Sequence, residues 1–352
     1  MKTQQLDQNP ASRVFVQTDN PDGNTVVAYN RSGDGLLAKG RVYDTGGRGG
    51  ILGGSIVDHV ASQGSLAYDR ARNLLYAANA GSNTITVFTV QNDELTRSQV
   101  ISSGGRFPVS VAVHGDLVYV LNAREGGSLQ GYRRIAGKLR RIHAWRRDLG
   151  IDPTKAPEFT HTPGQVAFTP DGSKLLVTTK ASGNSINVYS VGRFGGLSAD
   201  PVVNVDAGAI PFGVTFDAQG HLVVAEAGAN AVATFIVNRN GTLTLVSRTP
   251  TGQAATCWVV RAGATLYASN AISGSLSSFR DNGNGTLTSI GDSITNAGTI
   301  DAAVSSDERF LYVQTGVNGI VDEFRINPDG SLASIGSVTV PGAVGGEGII
   351  AS

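Results

Sequence analysis

The acid and base chemistry open to this sequence begins with two glutamates. Glu226 stands in Val224-Ala-Glu-Ala and is followed by Ala227, Gly228 and Ala229, so no neighbour in sequence offers it a cation. In a narrow, partly desolvated channel such a carboxylate keeps its proton to higher pH, which suits a general acid or base. Glu347 precedes a short apolar run, Gly348-Ile349-Ile350-Ala351. Should that run dock beside the first strand of the chain, Glu347 enters the same mouth as Glu226 and forms a carboxylate pair with it. The opposing expectation is that Glu347 pairs with a loop arginine.

Around these acids the sequence places polar and apolar groups that could bind a small ring compound. Thr18, Asn79, Asn122, Thr179, Glu226, Asn270 and Thr315 recur at the ends of successive β-rich runs. Asn79, Asn122 and Asn270 are candidates to bind substrate oxygens, although Asn and Thr at a strand end also cap the following turn. The runs that would face the channel open with Gly64, Val109, Gly164, Phe212, Cys257, Ile300 and Glu347. Phe212 and Trp258 are expected to supply apolar walls, and Gln165 a polar contact.

The elements that must position these residues are set by an internal repeat. Asn73 to Phe88 and Thr265 to Phe279 are two clear copies, each joining two β-rich runs through a Gly/Asn/Ser turn. The aromatic closing the second run recurs as Tyr29, Phe88, Tyr132, Tyr189, Phe235, Phe279 and Phe324, at intervals of 44 to 59 residues. Another short apolar run precedes most hairpins, and a fourth follows turns such as Asn240-Gly-Thr, Asn284-Gly-Thr and Asn327-Pro-Asp-Gly-Ser. Seven repeats of four strands predict an all-β, seven-bladed β-propeller, one domain spanning 1–352 with a flexible segment at 1–13. The spare terminal run, 348–351, is predicted to become the innermost strand of the first blade and close the ring.

Antiparallel blades bring the ends of second strands and the starts of innermost strands to one face. Two long connections fall on that face: Thr45 to Gln63, with Arg48, Asp58 and His59, and Asp148 to Pro163, with Asp152, Lys155, Glu158 and His161. Loops of this length suggest lids. The basic run from Arg133 to Arg147 is interrupted in strand fashion by Ile142, Ala144 and Trp145, and reads as a solvated outer strand rather than a phosphate-binding patch.

Composition narrows the partners. The chain is 40% apolar and 16% charged, has 46 glycines, and carries 28 basic and 28 acidic residues. A net charge of zero gives no global field to attract nucleic acid or an anionic membrane. Cys257 is the single cysteine and cannot form an intramolecular disulfide. The polar Met1–Arg13 segment lacks a secretory apolar region, and no run is long enough to span a bilayer. The expectation is a soluble monomer, cytoplasmic as given and secreted if a leader has been removed. The sequons at Asn30, Asn240 and Asn284 are read as polar turns. No phosphate-binding loop, nucleophile elbow or pair of histidines at ligand spacing occurs, so no cofactor and no metal are expected.

Three segments carry a family resemblance: Pro108-Val-Ser-Val-Ala-Val, Thr162-Pro-Gly-Gln-Val-Ala-Phe-Thr-Pro-Asp-Gly-Ser-Lys-Leu-Leu-Val and Ile210-Pro-Phe-Gly-Val-Thr-Phe. They resemble the blades of the lactonase-type propellers, which include 6-phosphogluconolactonase-like proteins and the fungal carboxymuconate lactonizing enzyme. The family's Pro-His falls on Pro163-Gly164, where His161 could substitute from the loop. Its two arginines fall on Phe212 and Ala271, and its glutamate on Glu226. Without both cations, the resemblance implies a weakly charged lactone rather than a phosphorylated one.

Two functions follow. One is a metal-independent, lactonase-like or cyclase/isomerase enzyme, with Glu226, Glu347 and His161 as its acid/base groups, acting in the channel mouth. The other is a non-catalytic propeller that binds a small ligand or a protein at the same face.

Overall fold

The computed structural model describes residues 12–91 and 94–352. It contains seven four-stranded antiparallel sheets arranged as the blades of a propeller. The innermost strands, taken from blade 1 to blade 7, are Ile349–Ala351, Leu66–Asp69, Pro108–His114, Val166–Phe168, Pro211–Phe216, Thr256–Ala262 and Thr299–Val304. Residues 1–11, most of the segment expected to be flexible, lie outside the described residues, while Arg13 opens the second strand of blade 1, Arg13–Gln17.

The seven repeated aromatics lie on the third strand of each blade, and all are buried. Instead of one central core, apolar side chains form a ring of clusters between neighbouring blades, because each sheet presents both faces to another sheet. Leu74, Tyr76 and Val87 of blade 2, for example, pack against Val111, Val118 and Tyr132 of blade 3.

Tyrosines on the second strands tie each of these blades to its neighbour. Tyr119, Tyr267 and Tyr312 donate their hydroxyls to the carbonyls of Gly195, Gly330 and Gly35, at 2.7, 2.9 and 2.6 Å. The acceptor turns need glycine for two reasons. Gly35 has φ +96°, and a Cβ added there would lie 2.2 Å from the Phe310 ring.

Ring closure follows the sequence expectation. Ile349–Ala351 pairs antiparallel with Arg13–Gln17, matching Val14 with Ala351 and Val16 with Ile349, and Gln17 N donates to Gly348 O at 2.8 Å. Most of the basic run is the outermost strand of blade 3, Lys138–Asp148, as predicted, while Arg133 and Arg134 fall on the strand before it, Ser128–Ile135. The Asn240 and Asn284 side chains accept from the backbone amides of Thr242 and Thr286, so both act as turn caps.

Removing residues 349–352 exposes the inner edge of blade 1 and the buried Val14 and Val16. The truncated chain is expected to lose several degrees of thermal midpoint or to stop unfolding in one transition, as read by calorimetry. An unchanged, single transition would show that the ring does not depend on this strand.

Candidate functional site

The polar ring at the ends of the second strands exists, but it belongs to the blades and not to a binding site. Asn79, Asn122 and Asn270 are fully buried. Asn79 donates to Thr84 and Thr86 at 3.1 and 2.9 Å, Asn270 to Ser275 and Ser277 at 3.2 and 3.0 Å, and Asn122 to the Ser103 and Ser128 carbonyls. These residues are structural, but they brace neighbouring strands rather than cap the following turn, and with their amide N–H groups so engaged the substrate-binding expectation for these three is corrected.

Glu226 is the blade 5 member of that ring, and it is not isolated. Arg248, on the outermost strand Leu243–Pro250, grips it with Nε to Oε2 at 2.6 Å and Nη2 to Oε1 at 3.0 Å. In blade 6, Asn270 reaches Ser277, which in turn donates to Asp292. In blade 5 the corresponding positions are Ala233 and Arg248. The small Ala233 leaves room for the guanidinium to cross the sheet. Burial pushes the Glu226 carboxyl up to about 7, and the hydrogen bonds from Arg248 act in the opposite direction. Sequence inspection near Glu226 missed this cation because it is 22 residues away, across the sheet.

Glu347 meets neither Glu226 nor a loop arginine. Its carboxylate is buried on the axis, accepting from Gly64 N at 2.9 Å and Ser65 N at 3.3 Å, and its own amide donates to Asp19 at 2.8 Å. Burial and the nearby carboxyls of Asp301, Asp58 and Asp19 hold its proton well above the ordinary range. Burial likewise pushes Asp58 up to about 6, Asp301 to about 7 and Asp19 to about 8.

The 45–63 connection is a plug rather than a lid. Leu52, Val60 and Ala61 are buried, and a Cβ added to Gly316 would fall 1.6 Å from Val57 O. Asp58 caps the plug's own turn through the amides of Val60, Ala61 and Ser62, at 2.8 to 3.0 Å. Lys180 pins it to the second connection, its buried Nζ donating to Ala61 O, Phe159 O and Thr162 Oγ1 at 2.6, 2.5 and 3.0 Å. Burial lowers this ammonium to about 7, against the pull of Asp58. Phe212 and Trp258 do meet, ring centres 4.9 Å apart, but the plug covers them and Trp258 Nε1 donates to Ser62 O at 2.7 Å. They are packing residues in this arrangement and do not wall an open mouth.

Among the described residues are two cavities of about 310 Å3. One lies on the axis below the plug and includes Gln165, whose Oε1 accepts from Val214 N at 2.6 Å. The other opens on the loop face beside blade 3, lined by Arg106, Arg124, Lys155, Glu125, Glu158 and His161 among others. The second connection therefore does border a site. Arg124 holds Glu158 in a bidentate pair at 2.7 and 3.0 Å, and Gly53 N donates to the same carboxylate at 2.6 Å. These contacts, led by Arg124, keep Glu158 below the usual carboxylate range. Arg106 stands 3.5 Å from Glu125.

His161 is the one predicted acid/base residue that lines this pocket. Its Nδ1 lies 3.0 Å from Pro157 O and 2.9 Å from Thr160 Oγ1. A carbonyl can only accept, so Nδ1 carries the hydrogen and Nε2 is left as the basic nitrogen. The cations beside it were missed because Arg106 and Arg124 come from blade 3, outside the positions aligned with the family's arginines. Among the described residues no group of three or more His, Cys, Asp or Glu is arranged to hold a metal.

Arg248→Met leaves Glu226 buried without a cation and is expected to cost about 3 kcal/mol in urea unfolding, the low end for such a loss because Arg248 is partly exposed. Adding Glu226→Gln should recover much of it; equal costs for the single and double variants would mean that the pair does not matter. The axial carboxyls predict a pH dependence as well. Unfolded, they ionise near pH 4, whereas folded they keep protons to about pH 6 to 8. The folded state binds more protons between those limits, so stability falls as pH rises through them. Lys180 has the opposite sign above its folded value of about 7. The thermal midpoint is expected to be higher at pH 5 than at pH 7.5, with a smaller difference in Asp301→Asn; a flat profile would show that the axial carboxyls ionise normally.

Comparison with known proteins agrees with the architecture. Residues 22–146, which run from blade 1 through most of blade 3, match the family described as lactonase, 7-bladed beta-propeller. A search of the curated proteins finds no match. In fold, the chain is similar to a putative 6-phosphogluconolactonase from Bacteroides fragilis NCTC 9343, with a TM-score of 0.76 at 17% identity over 99% of both chains. The periplasmic gluconolactonase of Pseudomonas aeruginosa gives 0.79 at 18% identity over 97% of this chain and 98% of that one. The virginiamycin B lyase of Staphylococcus aureus gives 0.56 at 12% identity over 81% and 87%. The chain is thus a seven-bladed β-propeller, similar in sequence to the lactonase family over residues 22–146 and alike in fold to the solved propellers along its whole length.

Proposed function

We propose that the protein hydrolyses a lactone in the loop-face pocket beside blade 3, with His161 as the general base. The observation that carries this reading is the anchoring of His161 Nδ1 to Pro157 O in a pocket that also contains Arg106, Arg124 and Lys155. Nε2 takes a proton from water, and the resulting hydroxide adds to the lactone carbonyl. The cations stabilise the tetrahedral oxyanion. Collapse breaks the ring C–O bond, and the imidazolium returns its proton to the departing alkoxide, giving a hydroxy acid. The same groups serve ring closure in reverse.

The pocket changes the substrate expected from sequence. Arg124 is committed to Glu158, but Lys155 and the more loosely paired Arg106 can meet an anionic substituent. A lactone carrying a carboxylate or phosphate therefore fits better than a neutral ring.

His161→Ala is expected to lower kcat for lactone hydrolysis by about 10²- to 10⁴-fold with little change in thermal midpoint. Lys155→Met should mainly raise KM for charged lactones. Hydrolysis that survives His161→Ala would remove the histidine from the mechanism. Stabilisation by lactones with no turnover would favour the binding-only alternative.

A further inference from the structure

The axial channel is a cup, closed at the loop face and open at the opposite one. Buried Asp58, Lys180, Glu347 and Trp258 occupy its loop-face end, and the cavity of about 310 Å3 lies below them, at the small end of the range for small-molecule sites. Innermost strands start at the loop face, so depth can be read from position. Asp301, early in Thr299–Val304, and Gln165, just before Val166–Phe168, lie at the closed end. Arg261, next to last in Thr256–Ala262, and Arg70, just past Leu66–Asp69, lie at the rim.

Several surface arginines pair with a carboxylate, whereas others, such as Arg147, bond to backbone carbonyls. Arg31, Arg134 and Arg146 pair with Asp307, Asp116 and Asp148. Arg70 instead donates to Ala351 O and lies over the Tyr68 ring at 5.5 Å, and Arg261 donates to Gly263 O at 3.0 Å. Neither has a carboxylate partner among the described residues. They rise from blades 2 and 6, so they flank the opening from different sides. At the closed end, Asp301 accepts one backbone amide on each oxygen, from Ala302 and Ile349, shares a side-chain hydrogen bond with Glu347, and keeps a lone pair beyond these. The Gln165 oxygen is taken by Val214, which leaves its amide N–H groups for a ligand.

We propose that the axial cup binds a small hydroxylated carboxylate, its anionic group held by Arg70 and Arg261 and its hydroxyls turned toward Asp301 and Gln165. Guanidinium and carboxylate form charge-assisted, directional hydrogen bonds. A hydroxyl both donates and accepts, so it can satisfy the Asp301 oxygen and the Gln165 amide together. This site is on the opposite face from the His161 pocket and does not depend on lactone hydrolysis.

Titration calorimetry on the full chain at low salt, with tartrate, succinate and inorganic phosphate as probes, tests the assignment. One tartrate site is expected, at least about 5-fold tighter than succinate, which has the two carboxylates without the hydroxyls. Arg70→Gln and Arg261→Gln should each weaken tartrate binding about 5- to 10-fold, while Arg106→Gln at the other pocket leaves it unchanged. Absence of tartrate binding, indifference to both rim substitutions, or phosphate binding as tight as tartrate would each overturn the proposal. Loss of turnover in His161→Ala with tartrate binding intact would separate the two sites.

Discussion

The docking of three residues, Ile349–Ala351, against Arg13–Gln17 is the contact on which the remaining architecture depends. A propeller has no single core; its blades bury apolar surface against their neighbours, so an open ring would leave two half-buried sheet faces and an unpaired strand edge. The docked strand brings Glu347 onto the axis, where its carboxylate gathers the amides of Gly64 and Ser65 and its own amide meets Asp19. Closure thus joins blade 1 to the start of blade 2 and places a group of acids where water has been excluded.

That group of acids, with the plug above it, fills the loop-face end of the axis. Carboxyls buried together are stable only when protonated or surrounded by donors. The 45–63 plug supplies donors to Asp58 from its own backbone, other strand and loop amides serve Glu347 and Asp301, and Lys180 contributes a buried ammonium nearby. Where the lactonase-type propellers would be expected to hold cations, this chain has Phe212 and Ala271 packed with Trp258 and Ile300. The described cavities lie off axis beside blade 3 and on the axis toward the opposite face.

Each of these sites combines charge with an anchored polar group. Beside blade 3, the Arg124–Glu158 pair fixes the second connection against Ile51 and Gly53, so His161 sits on a braced segment. In the axial cup, guanidiniums from two blades flank a cavity whose depth is set by strand length. Rigid sheets serve both sites in the same way, holding groups from distant parts of the chain at fixed separation.

The sequence by itself determined the architecture, because strand period, turn residues and the recurring aromatic are local signals that repeat seven times. It also put Asn79, Asn122 and Asn270 at strand ends and His161 in a long connection, which borders the pocket beside blade 3. The tertiary structure alone decided the partner of each charge. Glu226 looks isolated among Ala and Gly, yet Arg248 reaches it across two strands; Glu347 looks paired with Glu226, yet it faces Asp301 and Asp19. Electrostatic pairing depends on distances between chain segments tens to hundreds of residues apart. Those distances are fixed only when the ring closes.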